Sequence, residues 1–165
     1  TTEIYTLSLH DALPIFDIAK NSHPKGHFVV GEISKLPYPD NHFDLVLSVA
    51  TIHHLPSSYL REKAYLEMFR VIKPQGKIIL TVWYFWHRTE IANQIIRTYL
   101  TSLFRNESWQ FGDFYKPWRD AKKNIVVFRY FHAFRVGELK TELAKHFCIK
   151  DLYLNESDRD RKSVV

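Results

Sequence analysis

The sequence predicts an α/β fold built as a doubly wound sheet. Strand-like apolar runs alternate with segments of helical period, and proline- or glycine-bearing turns separate them. One run, residues 43–50, is nearly continuous in apolar character, as expected of a parallel strand covered on both faces. The 165 residues allow one domain with its own core and are too few for two.

The elements follow in order. Residues 27–32 form a short β-type run ending in Gly31 and an acid. Pro37 and Pro39 then interrupt the chain, because neither a ladder nor a helix continues through them. After the apolar run at 43–50, Pro56, Ser57 and Ser58 punctuate, and either serine suits a helix N-cap. Leu60, Ala64, Met68 and Val71 repeat at helical spacing, and Lys73-Pro74-Gln75-Gly76 closes that helix. Residues 77–84 are the strongest strand. Ile91, Ile95, Tyr99 and Leu103 mark one face of a longer helix. Residues 105–124 show no period, although Trp109, Phe111, Phe114, Tyr115 and Trp118 lie there. Residues 125–134 read as a strand, Val136, Leu139, Leu143 and Phe147 as a helix, and 149–154 as a last short strand.

Composition bounds the function. Hydrophobic residues make up 45% and charged residues 25%, the balance of a soluble globular chain. The longest apolar stretch, residues 78–86, falls far short of the roughly 20 residues a membrane helix needs. No cationic leader precedes an apolar segment, so a cytoplasmic location is expected. Cys148, alone in an apolar context, is expected to be a buried structural thiol. The net charge of +5 is concentrated in residues 86–135, which carry nine Lys/Arg against four Asp/Glu. That points to an anionic partner such as nucleic acid, or to a solvated basic face. Residues 1–16 and 159–165 resemble translated adaptor sequence and are expected to be non-native tails flanking a partial domain at 17–158.

Several spaced motifs carry a family resemblance. Val30-Gly31-Glu32, Leu36-Pro37-Tyr38 and Phe43-Asp44-Leu45-Val46 lead into Ile52-His53-His54-Leu55, and then into Glu67-x-x-Arg70 running to Gly76. Together they resemble the middle motifs of class I S-adenosylmethionine-dependent methyltransferases of the type 11 domain. The resemblance implies a Rossmann-like sheet, S-adenosyl-L-methionine as cofactor and methyl transfer as the activity. The segment 48–55 with Val82-Trp83-Tyr84, and Arg129-Tyr130-Phe131-His132-Ala133-Phe134, is similar to the branch of tRNA wobble-uridine carboxymethyl methyltransferases. That branch implies tRNA as partner and O-methylation of a carboxylate.

One departure matters. The family's first strand carries a Gly-x-Gly-x-Gly loop and its second ends in an acid. Here the five glycines, Gly26, Gly31, Gly76, Gly112 and Gly137, include no pair close enough for such a loop. The sheet is therefore expected to be incomplete, lacking the family's first two strands, with open edges and weak or absent cofactor binding.

The resemblance assigns Glu32 and Ile33 to the adenine, and Ser48, Val49 and Ala50 to the methionine part of the cofactor; a surface acid at a turn and strand-end packing are the structural alternatives. His53, His54, Arg129 and Tyr130 are the catalytic candidates, and Trp83, Tyr84 and His132 the substrate candidates, with core packing as the alternative for the aromatics. Adjacent histidines without a supporting Cys or acid cluster make a poor metal site, so no metal is expected. Arg88, Arg97, Arg119, Lys122, Lys123, Arg129 and Arg135 are phosphate candidates as a group. A carboxylate acceptor needs only orientation; a hydroxyl or amine acceptor would call on His53 or His54 as base. Three functions remain open: a tRNA methyltransferase, a small-molecule O- or N-methyltransferase, and a non-catalytic RNA-binding or partner subunit. The motifs disfavour a nicotinamide-dependent oxidoreductase.

Overall fold

The computed structural model describes residues 12–105, 109–119, 125–154 and 162–164. The expected tails at 1–16 and 159–165 lie largely outside them. Within those segments the structure records part of helix α1 (Ala12–Ser22) and strand β6 (Lys162–Val164), neither of which the sequence reading assigned.

Two parallel strands anchor the fold. β1 (Phe43–Val49) pairs with β2 (Ile72–Trp83), and helix α2 (Ser58–Val71) makes the crossover between them. β6 pairs antiparallel with the end of β2, and β5 (Tyr153–Leu154) pairs antiparallel with β6, giving the order β1-β2-β6-β5. Helix α3 (Thr89–Arg105) leads to a separate antiparallel ribbon of β3 (Asp113–Arg119) and β4 (Ile125–His132). Helix α4 (Val136–Leu143) follows. The α/β class stands.

Local chemistry explains the α2 crossover. Ser57 is the N-cap, extended in backbone, and its Oγ accepts the Leu60 N–H at 3.1 Å. Ala64, Met68 and Val71 are buried as the spacing predicts, and Arg61 and Tyr65 join them. The helix gives way to β2 without a linker. Phe43 faces Ile72 in the ladder and Leu45 faces Lys77, so Lys73-Pro74-Gln75-Gly76 loops out as a bulge. Gln75 has φ of 67°, and a Cβ on Gly76 would lie 2.5 Å from the Ile72 side chain. The loop bearing Pro37 and Pro39 is clamped from α2: Arg70 donates to the Leu36 and Tyr38 carbonyls and to Asp40, while Glu67 accepts the Leu36 N–H.

Four expectations need correction. Residues 27–32 form no strand and keep only an isolated bridge between Glu32 and Lys35. A β-run without a neighbour has no ladder to join, and no strand lies beside it among the described residues. β1 is covered on one face only: Val46 and Ser48 turn inward, whereas Leu45, Leu47 and Val49 are 41%, 49% and 62% exposed. The aperiodic stretch contains β3, whose cross-strand pairing with β4 supplies what Pro117 hides in the sequence. Cys148 is exposed, because Phe147 and Ile149 on either side of it take the inward positions.

The core has two parts. Ile52, Ala64, Tyr65, Met68, Leu80, Val82, Phe134, Leu139 and Leu143 pack between α2, β2 and α4. Phe85, Ile95, Phe114, Phe131 and Ala133 pack the ribbon onto α3. The site lies where the two meet.

Candidate functional site

β1 and β2 end side by side, and ligands of such sheets sit beyond the carboxyl ends of the strands. Ala50, just past β1, has φ of 53°, and its N–H reaches both the carbonyl and Oγ1 of Thr81 at 3.0 Å. The bend drops Ile52–His54 into a short 3-10 helix beneath the β3–β4 ribbon. Its two histidines part company there.

His53 is fully buried, its ring tilted against Trp83 and stacked 5.6 Å from Phe131. Its Nδ1 accepts the Trp83 N–H at 3.3 Å, so the neutral ring carries its proton on Nε2. Burial, reinforced by His54 and His132, pushes its pKa down to about 3. His53 is thus a neutral core group, which corrects its nomination as a catalytic contact. His54 is only partly buried. A carbonyl only accepts, so the 3.0 Å contact of His54 Nδ1 with the Tyr130 carbonyl requires a proton on Nδ1 and leaves the lone pair on Nε2. Burial lowers its pKa, the Tyr130 carbonyl opposes this, and Arg129 adds to the lowering. His54 therefore stays a base candidate.

The other wall is the ribbon. Asp113 and His132 face each other across β3 and β4, and His132 Nδ1 meets Asp113 Oδ1 at 2.6 Å. His132 Nε2 meets Glu138 Oε1 of α4 at 3.0 Å, and the Tyr130 hydroxyl donates to Asp113 Oδ1 at 2.6 Å. Burial works against the charged ring, but hydrogen bonds from its two N–H groups to Asp113 and Glu138 outweigh it and raise the His132 pKa. Asp113 and Glu138 are held below their ordinary carboxylate values, against their own burial, by the same bonds. His132 is therefore a fully buried imidazolium lock, and Tyr130 commits its hydroxyl proton to Asp113. Gly112 sits beside the lock with φ of 119°, and a Cβ there would come within 3.0 Å of His132 and of the Ala133 carbonyl.

A second network lies deeper. Arg61, 1% exposed, is bidentate to Glu142 at 2.8 and 3.2 Å and reaches Gln110 at 3.1 Å. Tyr65 donates to the same carboxylate, and the Gln110 N–H donates to Asp113 Oδ2, joining the two networks. Sequence reasoning missed Arg61, Asp113, Glu138, Glu142 and Gln110. Only Glu138 carried a readable signal, as an acid three residues past Arg135 at the start of a helix; its Oε2 accepts the Arg135 N–H.

Arg129 stays at the mouth, on β4 directly opposite Lys116 of β3. Trp83 is partly exposed, with Lys116 Nζ 5.8 Å above its ring. Tyr84 stacks on His87, away from this group. The structure thus sets Arg129 near His54 and opposite Lys116, and Lys116 over the Trp83 ring. Of the phosphate group, Arg119, Lys122 and Lys123 lie outside the described side chains, and Arg135 rests over the Phe111 ring.

The cofactor candidates form one wall at most. Ser48 is buried with no partner for its Oγ, Val49 is exposed, and Ala50 makes the left-handed bend. Glu32 is exposed in a turn and accepts from Ser34, while Ile33 packs against the core. A small buried hydroxyl and a bent backbone at the strand end suit close approach of a ligand. Among the described residues there is no His, Cys, Asp and Glu group able to hold a metal, and no helix long and apolar enough to cross a membrane.

Residues 7–80 match the family described as "Methyltransferase domain". The chain is 27% identical over 154 residues to a tRNA (carboxymethyluridine(34)-5-O)-methyltransferase of Schizosaccharomyces pombe, covering 82% of this chain and 61% of the relative. It is 40% identical over 70 residues to the protein of the same name in Arabidopsis thaliana, covering 38% of this chain and 17% of that one. The chain thus spans less than two thirds of either relative. Among solved structures it is similar in fold to a SAM-dependent methyltransferase from Methanosarcina mazei, with a TM-score of 0.77 and 22% identity, over 98% of this chain and 78% of that one.

Proposed function

We propose that this chain, which belongs to the class I S-adenosylmethionine-dependent methyltransferases, supplies the acceptor side of an enzyme that O-methylates a carboxylate on a tRNA wobble uridine. S-adenosylmethionine is the cofactor of this family and supplies an electrophilic methyl group. The observation that carries the reading is a cation over an aromatic ring at the end of β2: Lys116 Nζ lies 5.8 Å from the Trp83 ring, and Arg129 faces Lys116 across the ribbon. An aromatic beside a cation suits an unstacked base bearing an anion. A carboxylate is already ionised at neutral pH, so the site needs only to orient it. The identity shared with two carboxymethyluridine methyltransferases supports the same substrate class.

His54 supports a second reading. A neutral imidazole with its lone pair on Nε2 suits a hydroxyl or amine acceptor, which must lose a proton, and a small-molecule O- or N-methyltransferase would use it.

Binding separates the two. The first reading expects the chain to bind an anticodon stem-loop RNA with steep salt dependence, weakened about tenfold by replacing Arg88, Arg97 and Arg129 together with alanine. RNA binding that is absent, or indifferent to those changes, sinks it.

A further inference from the structure

A carboxylate acceptor needs no base, which leaves His54 without a task in the first reading, yet three contacts fix its ring. The Tyr130 carbonyl meets His54 Nδ1 at 3.0 Å, and the same tyrosine is anchored through its hydroxyl to Asp113 at 2.6 Å. The His54 ring centroid lies 4.5 Å from that of Phe131 and 4.4 Å from that of His53. These contacts set both the plane of the ring and its tautomer, since a carbonyl only accepts and the proton must stand on Nδ1. Nε2 is left as a lone pair. It has no hydrogen-bond partner among the described residues, and unlike His53 Nε2 it is not sealed from solvent. Burial disfavours a second proton on the ring; the Tyr130 carbonyl opposes this, and the charge of Arg129 adds to it. His54 therefore presents a fixed hydrogen-bond acceptor just past the end of β1, where ligands of such sheets arrive.

What such an atom selects follows from its chemistry. A lone pair on a fixed ring rewards an N–H or O–H and is opposed by another lone pair. On their pairing edges uracil presents a donor at N3 and cytosine a lone pair at the same position. We propose that His54 is a specificity-determining residue: its Nε2 accepts a hydrogen bond from the imide N3–H of the acceptor's uracil ring and so selects uracil over cytosine. The identity of the base rests on the tRNA reading above; the acceptor character of Nε2 does not. The proton stays on N3 throughout, so this role differs from the proton abstraction that a hydroxyl or amine acceptor would ask of the same atom.

The test follows the imidazole nitrogens of the 165-residue chain by NMR while uridine, N3-methyluridine and cytidine are added in turn. His54 Nε2 should give the signal of a bare ring nitrogen, and uridine should move it. N3-methyluridine lacks the donor and keeps the rest of the base. It should leave that signal in place and bind about three- to tenfold more weakly, the worth of one net hydrogen bond. Cytidine should bind no better than N3-methyluridine. His54→Gln, whose amide turns either to donate or to accept, should bind uridine and cytidine equally, with the ring signals of Phe131 confirming its fold. Equal affinity of the unaltered chain for uridine and N3-methyluridine overturns the proposal without recourse to a variant. A His54 signal that ignores uridine, or a preference for uridine that survives in His54→Gln, overturns it too. Stem-loop binding keeps the two readings apart: its loss strikes the tRNA reading even if the nucleosides are discriminated, and loss of discrimination strikes the role of His54 even if the RNA binds.

Discussion

The two walls of the mouth differ in how completely the chain satisfies them. On the β3–β4–α4 side, Asp113, Tyr130, His132 and Glu138 bond to one another, and Arg61, Tyr65 and Glu142 continue the network beneath. On the β1–β2 side, Ser48 Oγ, His53 Nε2 and Trp83 Nε1 are buried without a partner. The outer face of β1 exposes Leu45, Leu47 and Val49 as well. Buried polar groups are nearly always bonded, so the wall at the two strand ends carries the larger unmet hydrogen-bonding demand among the described residues. Among the described residues, the β3–β4–α4 wall satisfies its polar groups more fully than the β1–β2 wall. Arg61 Nη1 is the exception on the satisfied side, since it too is buried without a partner.

The largest test of that contrast breaks the satisfied side. Glu142→Ala leaves the Arg61 guanidinium, 1% exposed, without its bidentate partner. Stranding a buried charge costs about 3–5 kcal/mol, so denaturant unfolding should show a loss of that size. A loss below about 1 kcal/mol would mean that water reaches Arg61 and that the network is not closed.

The next effect is read from pH. The His132 pKa is raised above its ordinary 6.5, so the stability its imidazolium contributes is fully present below 6.5 and is lost as pH climbs through the raised value. Asp113 and Glu138, depressed from 3.8 and 4.5, contribute stability that is present above 4.5 and is lost as pH falls through their lowered values. His53 and His54 act oppositely to His132: the unfolded chain takes up protons below 6.5 that these buried rings refuse. Stability should therefore rise from acid pH to about neutrality and then decline. His132→Gln should lose about 1–3 kcal/mol near neutrality and lose the alkaline decline with it. An alkaline decline that survives in the variant assigns it to another group.

Legibility followed the same division. The β1–β2 half was readable because its signals are local: Ser57 caps α2, the 60/64/68/71 spacing buries its face, and Gly76 closes the bulge. Residues 27–32 were misread for the opposite reason, since strand-like composition forms a strand only beside a neighbour. The lock on the other wall depends on pairings such as Asp113 with His132 and Arg61 with Glu142, 81 residues apart, which no periodicity encodes. His53 and His54 show the limit most clearly. They are adjacent in sequence, yet one is core and the other faces the mouth, and only the 3-10 turn beneath β4 separates their roles.

The smallest effect tests the unsatisfied wall. Ser48 is 5% exposed and its hydroxyl meets no acceptor or donor, so Ser48→Ala removes a desolvated polar group and no hydrogen bond. An unpaired buried hydroxyl costs roughly 1–3 kcal/mol by protein mutational data, and the alanine methyl fills most of its volume. Thermal unfolding of the variant should thus show stability unchanged or raised by up to about 1 kcal/mol, where the same replacement at a bonded serine would lower it. Serial comparison with Ser57→Ala, whose Oγ caps α2, supplies that contrast within one chain: the cap variant should lose about 1 kcal/mol. If Ser48→Ala instead loses as much as Ser57→Ala, its hydroxyl is bonded in solution, the wall is closed by the chain itself, and the asymmetry between the two sides of the mouth disappears.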